Sequence, residues 1–230
     1  MSRAPKSPPK VPRLSRRDRA LATRRRMLQA TYDLVTEIGY GATTMAAIAE
    51  RAGVAEQTLY FTFHTKPAIL SEVLHASVVG FERWTPSLHQ EVRADHRAVA
   101  REQMPWFGPF EDESDPRRAL EHYVDGTAEI WARVGPLLAS LGTQPGSDLA
   151  ATLTASERLR EEASAMLVGM LAKKGSGLRS SLTRRAAVDV FHVLTRGELY
   201  FDLTTVRGWS HARAKRWLLE LLARELLADP

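Results

Sequence analysis

Between Thr43 and Lys66 the chain reads TTMAAIAERAGVAEQTLYFTFHTK, and the spacing inside that stretch restricts the fold more than any other feature of the sequence. Two short helical patterns, one opened by Thr43 or Thr44 and running to about Ala52, the other covering roughly Ala55 to Phe61, meet at Gly53. Helices joined by so tight a turn must cross steeply. The crossing needs a small side chain where the backbones approach, which Ala49 supplies. Four positions later it needs a residue tolerant of positive φ, which Gly53 supplies. Ile48, Val54 and Leu59 fall at the offsets that lock the pair together. This is the spacing of a DNA-binding helix-turn-helix.

The rest of the chain reads as helices around that unit. From Ser15 onward, Leu21, Met27, Leu28, Thr31, Leu34, Val35 and Ile38 recur at spacings of three and four, and Gly39 ends the run. Thr65 caps a fourth helix with Pro67 in its first turn, expected to reach about Trp84. Further helices are expected near 87–103, 116–134, 136–142, 148–174, 183–206 and 210–228. Loop signals separate them at Pro105–Pro109, Glu111–Asp115, Gly142–Gly146 and Lys173–Gly177. Strand alternation and repeats are not evident, so the expected fold class is all-α.

Charge divides the chain. Residues 1–26 hold ten Lys or Arg against one acid, Asp18, so that segment carries +9 of a total of +5 and the remainder sums to −4. A basic end on a mildly acidic body suggests contact with a polyanion, or else a solvated tail. There are no cysteines, which excludes disulfides, thiolate metal sites and cysteine nucleophiles. No apolar run approaches the roughly 20 residues that span a bilayer. The expected location is the cytoplasm, with no membrane partner, no metal and no cofactor.

Three words in the sequence resemble the tetracycline-repressor (TetR) family: Gly39-Tyr-Gly-Ala-Thr-Thr44, Ile48-Ala-Glu-Arg-Ala-Gly-Val54, and Thr58-Leu-Tyr-Phe-Thr-Phe63 followed by Lys66 and Leu70. The likeness is strong over about residues 16–75 and weaker near Gly177–Arg179, Arg207–Ser210 and Trp217-Leu218. It implies an N-terminal three-helix DNA-binding domain, a fourth connecting helix, and a C-terminal helical ligand-binding and dimerisation domain. The corresponding division is a basic arm over 1–15, disordered in isolation, a DNA-binding domain over 16–65 and the second domain over 66–230. Ala55, Glu56, Phe61, Thr62 and Pro67 depart from the family pattern.

Gln57 lies near the start of the reading helix, and its amide can pair with adenine in two places. Glu56 either accepts from a cytosine amino group or only excludes wrong sequences. Thr44 and Tyr60 carry hydroxyls where the family contacts phosphate. Lys66 adds a cation beside the fourth helix's N-terminus. Thr58 and His64 are further candidates, and His64 equally suits a plain surface position.

In the second domain, Trp84, Trp106, Phe107, Phe110, Tyr123, Trp131, Met166 and Met170 are candidates for either core or ligand pocket. Apolar residues in the last two helices cover more than one face, which suggests a homodimer through Val190, Phe191, Leu194, Trp217, Leu218, Leu221 and Leu222. The resulting expectation is a dimeric regulator, most simply a repressor. It would bind a pseudo-palindromic double-stranded DNA operator and be released by a small apolar effector. The alternatives are a helical regulator or adaptor without a ligand and an enzyme. An enzyme has little support: the seven His are scattered without HExxH spacing, and no GxSxG or phosphate-cradling glycine loop is present.

Overall fold

The computed structural model describes residues 15–141 and 147–228, and all described elements are helical. The basic arm up to residue 14 and the loop signal at 142–146 lie outside them. The first helix, α1 (Arg16–Ala42), opens with a reciprocal cap. The Asp18 N–H donates to the Ser15 hydroxyl at 3.1 Å, and the Ser15 N–H donates back to the Asp18 carboxylate at 3.2 Å. Its Met27, Leu28, Thr31, Leu34 and Val35 are buried. Gly39 kinks the helix rather than ending it, and one further turn follows.

Then come α2 (Met45–Ala52) and α3 (Glu56–Phe63). The Thr44 hydroxyl accepts from the Ala47 N–H at 3.1 Å and starts α2, while Gly53, at φ 65° and ψ 42°, turns the chain out of it. That left-handed conformation is open to glycine at little cost. The helix α4 (Lys66–Val79) starts on the Thr65 hydroxyl, which accepts from the Ala68 N–H at 3.2 Å. It stops at Gly80, short of the expected Trp84, which lies in the following turn.

The expected 87–103 helix is two, α5 (Leu88–Ala94) and α6 (His96–Gln103). Asp95 between them is extended, and its carboxylate accepts from the Ala98 N–H, so it caps the second helix and interrupts the first. The Pro105–Pro109 loop signal covers the start of a short helix, α7 (Phe107–Asp112). Pro136 does not divide α8 (Pro116–Ser140). The carbonyl that loses its helical donor belongs to exposed Ala132, where solvent can replace the bond. After α9 (Ser147–Leu171) the expected 183–206 helix is broken. It comprises α10 (Arg184–Leu194) and α11 (Gly197–Phe201), the latter continuing as one π-helical turn, Asp202–Val206. The break is tertiary in origin: the Thr195 carbonyl accepts the Trp131 indole N–H from α8 at 3.0 Å. The last helix is α12 (His211–Leu226).

Two apolar clusters organise these helices. The first joins α1 to α4, including Ile48, Leu59, Ile69, Leu70 and Val73, and extends to Trp84, Leu88, Val99, Leu137, Leu141 and Leu149. The second joins α6 to α12 around Phe107, Phe110, Leu120, Tyr123, Phe191, Tyr200 and Leu222. The expected boundary at 65/66 thus precedes a helix, α4, whose buried side belongs to the N-terminal cluster while it also packs on α8 and α9.

Candidate nucleic-acid interface

The α2–α3 pair is locked from below. Ile48 and Leu59 are fully buried, Val54 packs on the same cluster, and the Val54 N–H donates to the Ala49 carbonyl at 3.0 Å across the turn. With Leu59 and Phe63 holding α3 down, its other faces turn to solvent: Glu56, Gln57, Thr58 and Tyr60 are exposed, and Phe61 is 84% exposed. Five side chains capable of reaching a groove therefore stand on one rigid eight-residue helix. Ala55 gives α3 no side-chain cap, which leaves N–H groups at its start available to other acceptors. Exposed Arg16, Arg17, Arg19 and Arg26 lie along α1.

The remaining expected contacts differ in availability. Thr44 is exposed; its oxygen serves as the α2 cap, and its hydroxyl proton remains available to donate. His64 is exposed beyond the end of α3, held at φ 63° with its N–H donating to the Tyr60 carbonyl at 2.8 Å. Lys66 is otherwise engaged. Its Nζ donates to the carbonyls of Tyr40 and Thr43, both at 3.0 Å, and lies 4.1 Å from the centre of the Tyr40 ring. In the free protein this ammonium ties the start of α4 to the end of α1. The expected phosphate contact is replaced by an internal one, because three groups that accept a cation converge on it.

The aromatic candidates in the body mostly form core. Trp84 belongs to the N-terminal cluster, its indole N–H donating to Glu72 at 3.0 Å. Tyr123 lies edge-on to Trp106 at 5.1 Å and to Trp131 at 5.8 Å between ring centres, with Phe110 and Phe191 also against it. Phe107, Phe110, Tyr123 and Trp131 are thereby corrected from pocket to core, and Met166 and Met170 pack half-buried on the same cluster. Trp106 alone of the set lines the larger cleft, a solvent-open space of about 240 Å³ between the end of α4, the α6–α7 turn and α8. A Cβ on Gly126 would sit 2.1 Å from the Trp106 Cβ, so this indole lies directly on the α8 backbone. Across the cleft stand Arg83, Gln103, Glu129 and Arg133. Nothing in the sequence brings these together, since they come from elements up to 50 residues apart, although Glu129 and Arg133 share one α8 face.

Among the interface candidates, Phe191, Leu218 and Leu222 are buried at 1%, 1% and 0% exposure within their own subunit, a correction to their expected place on an outer face. Val190, Leu194 and Leu221 are half-buried, Trp217 is 37% exposed, and Val193, another apolar residue of the same segment, is 58% exposed. A cluster that the sequence reading missed joins α9 to α10. His192 lies 3.2 Å from the Ser164 hydroxyl and 2.9 Å from the Glu157 carboxylate. Hydrogen bonds from Arg160 first, and from His192, hold Glu157 down to about 2. The order of groups is that of a hydrolytic triad, but Ser164 is buried and its proton goes to the Arg160 carbonyl at 2.9 Å, so the cluster works as a latch between helices.

Comparison with known proteins agrees with this architecture. Residues 27–73 match the family model described as bacterial regulatory proteins, tetR family. No curated protein sequence matches the chain. Among solved structures, NalD of Pseudomonas aeruginosa, the secondary repressor of the MexAB-OprM multidrug efflux pump, superposes with a TM-score of 0.65 at 20% identity, covering 93% of this chain and 100% of its own. The transcriptional regulator FadR of Bacillus subtilis, in complex with stearoyl-CoA, gives 0.56 at 14% identity, with 86% and 96% covered. A putative transcriptional regulator of Saccharomonospora viridis, in complex with choline, gives 0.56 at 19%, with 90% and 99% covered. The match to the tetR family model is thus confined to residues 27–73, and over the rest of the chain the likeness to those regulators is one of all-helical fold.

Proposed function

We propose that the protein is a transcriptional regulator that binds a pseudo-palindromic operator as a homodimer and is released by a small molecule. The observation that carries the reading is α3, locked beneath by Leu59 and Phe63 and presenting Gln57, Thr58, Tyr60 and Phe61 to solvent. Gln57 reads a base edge, Phe61 is placed to meet a thymine methyl, and Thr44, Tyr60 and the start of α3 take phosphates. The division into head and body, the cytoplasmic location and a DNA-binding role for residues 1–15 belong to the same proposal. So does the outer face of α10 and α12, which supplies the dimer contact through Val190, Val193, Leu194, Trp217 and Leu221. Repressor action and ligand control are supported by the fold shared with a repressor and with two ligand-bound regulators.

Selection from random duplex DNA followed by gel shift tests the reading. The expected result is an inverted repeat whose half-sites lie about one helical turn apart or a multiple of it, with affinity falling steeply as salt rises. Gln57→Ala should relax base preference at one position of each half-site. Recovery of no preferred sequence would refute operator recognition.

A further inference from the structure

The solvent-open cleft beside Trp106 has a charged end that the packing of α4 does not require. Arg83 donates its Nε to the Val79 carbonyl at 2.8 Å, and Arg133 donates its Nε to the Ser77 carbonyl at 2.9 Å and one Nη to the Val78 carbonyl at 3.4 Å. Two guanidiniums from opposite sides thus cap the last carbonyls of α4. Each is held by backbone, so its position does not depend on a mobile partner. Each keeps N–H groups beyond those used, and among the described residues neither is in an ion pair. Burial and the nearby Arg83 charge lower the pKa of Arg133, while Glu129, one turn back on α8, raises it from beyond ion-pair distance. The charges on the cleft walls are then Arg83, from the turn after α4, and Arg133, Glu129 and Asp125 along α8, with Asp125 paired to Lys215 at 2.7 Å. Between them lie Val78, Met104, Pro105, Trp106 and Ile130, an apolar lining. Trp106 keeps its indole N–H buried with no acceptor in the protein.

We infer that this cleft binds a small amphipathic anion, its carboxylate or phosphate monoester on Arg83 and Arg133 and its apolar body along Met104, Trp106 and Ile130. Fixed guanidiniums suit such groups because their paired N–H donors match two oxygens at once. The volume of about 240 Å³ falls below that of drug-sized sites, so the ligand is small. The inference deepens the proposed ligand control and rests on it for its consequence: an anion drawing on the arginines that cap α4 competes with that helix's own carbonyls, and α4 carries the reading head.

Calorimetric titration of the full chain with octanoate, octyl phosphate, octanol and octylammonium tests the site without DNA. Octanoate or octyl phosphate should bind, and whichever is tighter names the headgroup; octanol and octylammonium should bind at least about ten-fold more weakly, the effect of losing one charge-assisted hydrogen bond. Arg83→Gln, at an exposed position that spares the core, should weaken the anion about ten-fold. Glu129→Gln should tighten it by removing a like charge. Equal binding of all four probes, no anion binding, or indifference to Arg83→Gln would overturn the inference. Gel shift of the unliganded protein on selected DNA is read separately, so a failure of operator recognition leaves the anion titration intact and the two failures are told apart.

Discussion

Lys66→Met separates two roles for one cation. The resemblance implies that Lys66 meets phosphate, whereas in the structure its Nζ bridges the carbonyls of Tyr40 and Thr43 at 3.0 Å and lies over the Tyr40 ring. Hydrogen bonds to a charged group contribute about 1.5–3 kcal/mol each when buried. Lys66 is half-buried, so the pair together stands near the lower figures, about 2–3 kcal/mol, and the ring contact adds about 0.5–1 kcal/mol. Methionine retains most of the stem packing and removes the charge, so the expected cost is about 3 kcal/mol of stability. Urea unfolding followed by circular dichroism measures that loss. Salt titration of DNA binding supplies the other half. A phosphate contact contributes about 0.9 to the slope of log affinity against log salt, hence about 1.8 for a dimer. The structural role predicts the full stability loss with an unchanged slope in the folded variant. A variant within about 0.5 kcal/mol of the parent whose slope falls by about 1.8 would refute the argument and restore Lys66 to the phosphate backbone.

Three more expectations follow from other helices. Trp131→Phe keeps the ring and removes the indole N–H from the Thr195 carbonyl, and should lower urea stability by about 1–2 kcal/mol. Burial holds the His75 pKa at about 4, below its ordinary 6.5, so the unfolded chain takes up the proton first. Stability should therefore fall between about pH 6.5 and pH 4, and His75→Gln should flatten that stretch of the profile; an unchanged profile would exclude His75 as its source. Val193→Asp, at a 58% exposed position, should yield a folded monomer by light scattering and circular dichroism, whereas Phe191→Asp, at 1% exposure, should unfold the subunit. A Val193→Asp protein that stays dimeric would remove α10 from the interface.

What was legible in the sequence was local. Thr44, Gly53, Thr65 and Pro67 act on the backbone within a few residues, so α2 and α4 begin at their threonine caps and α2 ends at Gly53. Errors arose where distant partners decided. The cut at Thr195 depends on Trp131, 64 residues away, and the survival of α8 through Pro136 depends on Ala132 facing solvent. The reading face was legible because its residues adjoin in sequence, while the internal use of Lys66 depends on carbonyls more than 20 residues back. Aromatic residues in the body gave no such signal: Trp106 on the cleft and Tyr123 in the core differ only in what folds around them.

Arg133 joins both helices that enter the reading head. Its guanidinium holds the end of α4, and its own carbonyl accepts the Tyr32 hydroxyl from α1 at 2.9 Å. The opposite end of α4 is fastened to α1 through Lys66. The 14-residue α4 is thus a strut of about 21 Å secured at both ends, and moving one end sideways by about 1 Å while the other stays put turns it by about 3°. Because α1 is attached at the same α8 residue, it travels with the strut, and the head turns as a block instead of shearing internally. In a symmetric pair each turn is mirrored about the dyad, so the gap between the two heads changes by the sum of both displacements. In the proposed homodimer, the geometry at this one residue would bear directly on the spacing that a pair of half-sites must match.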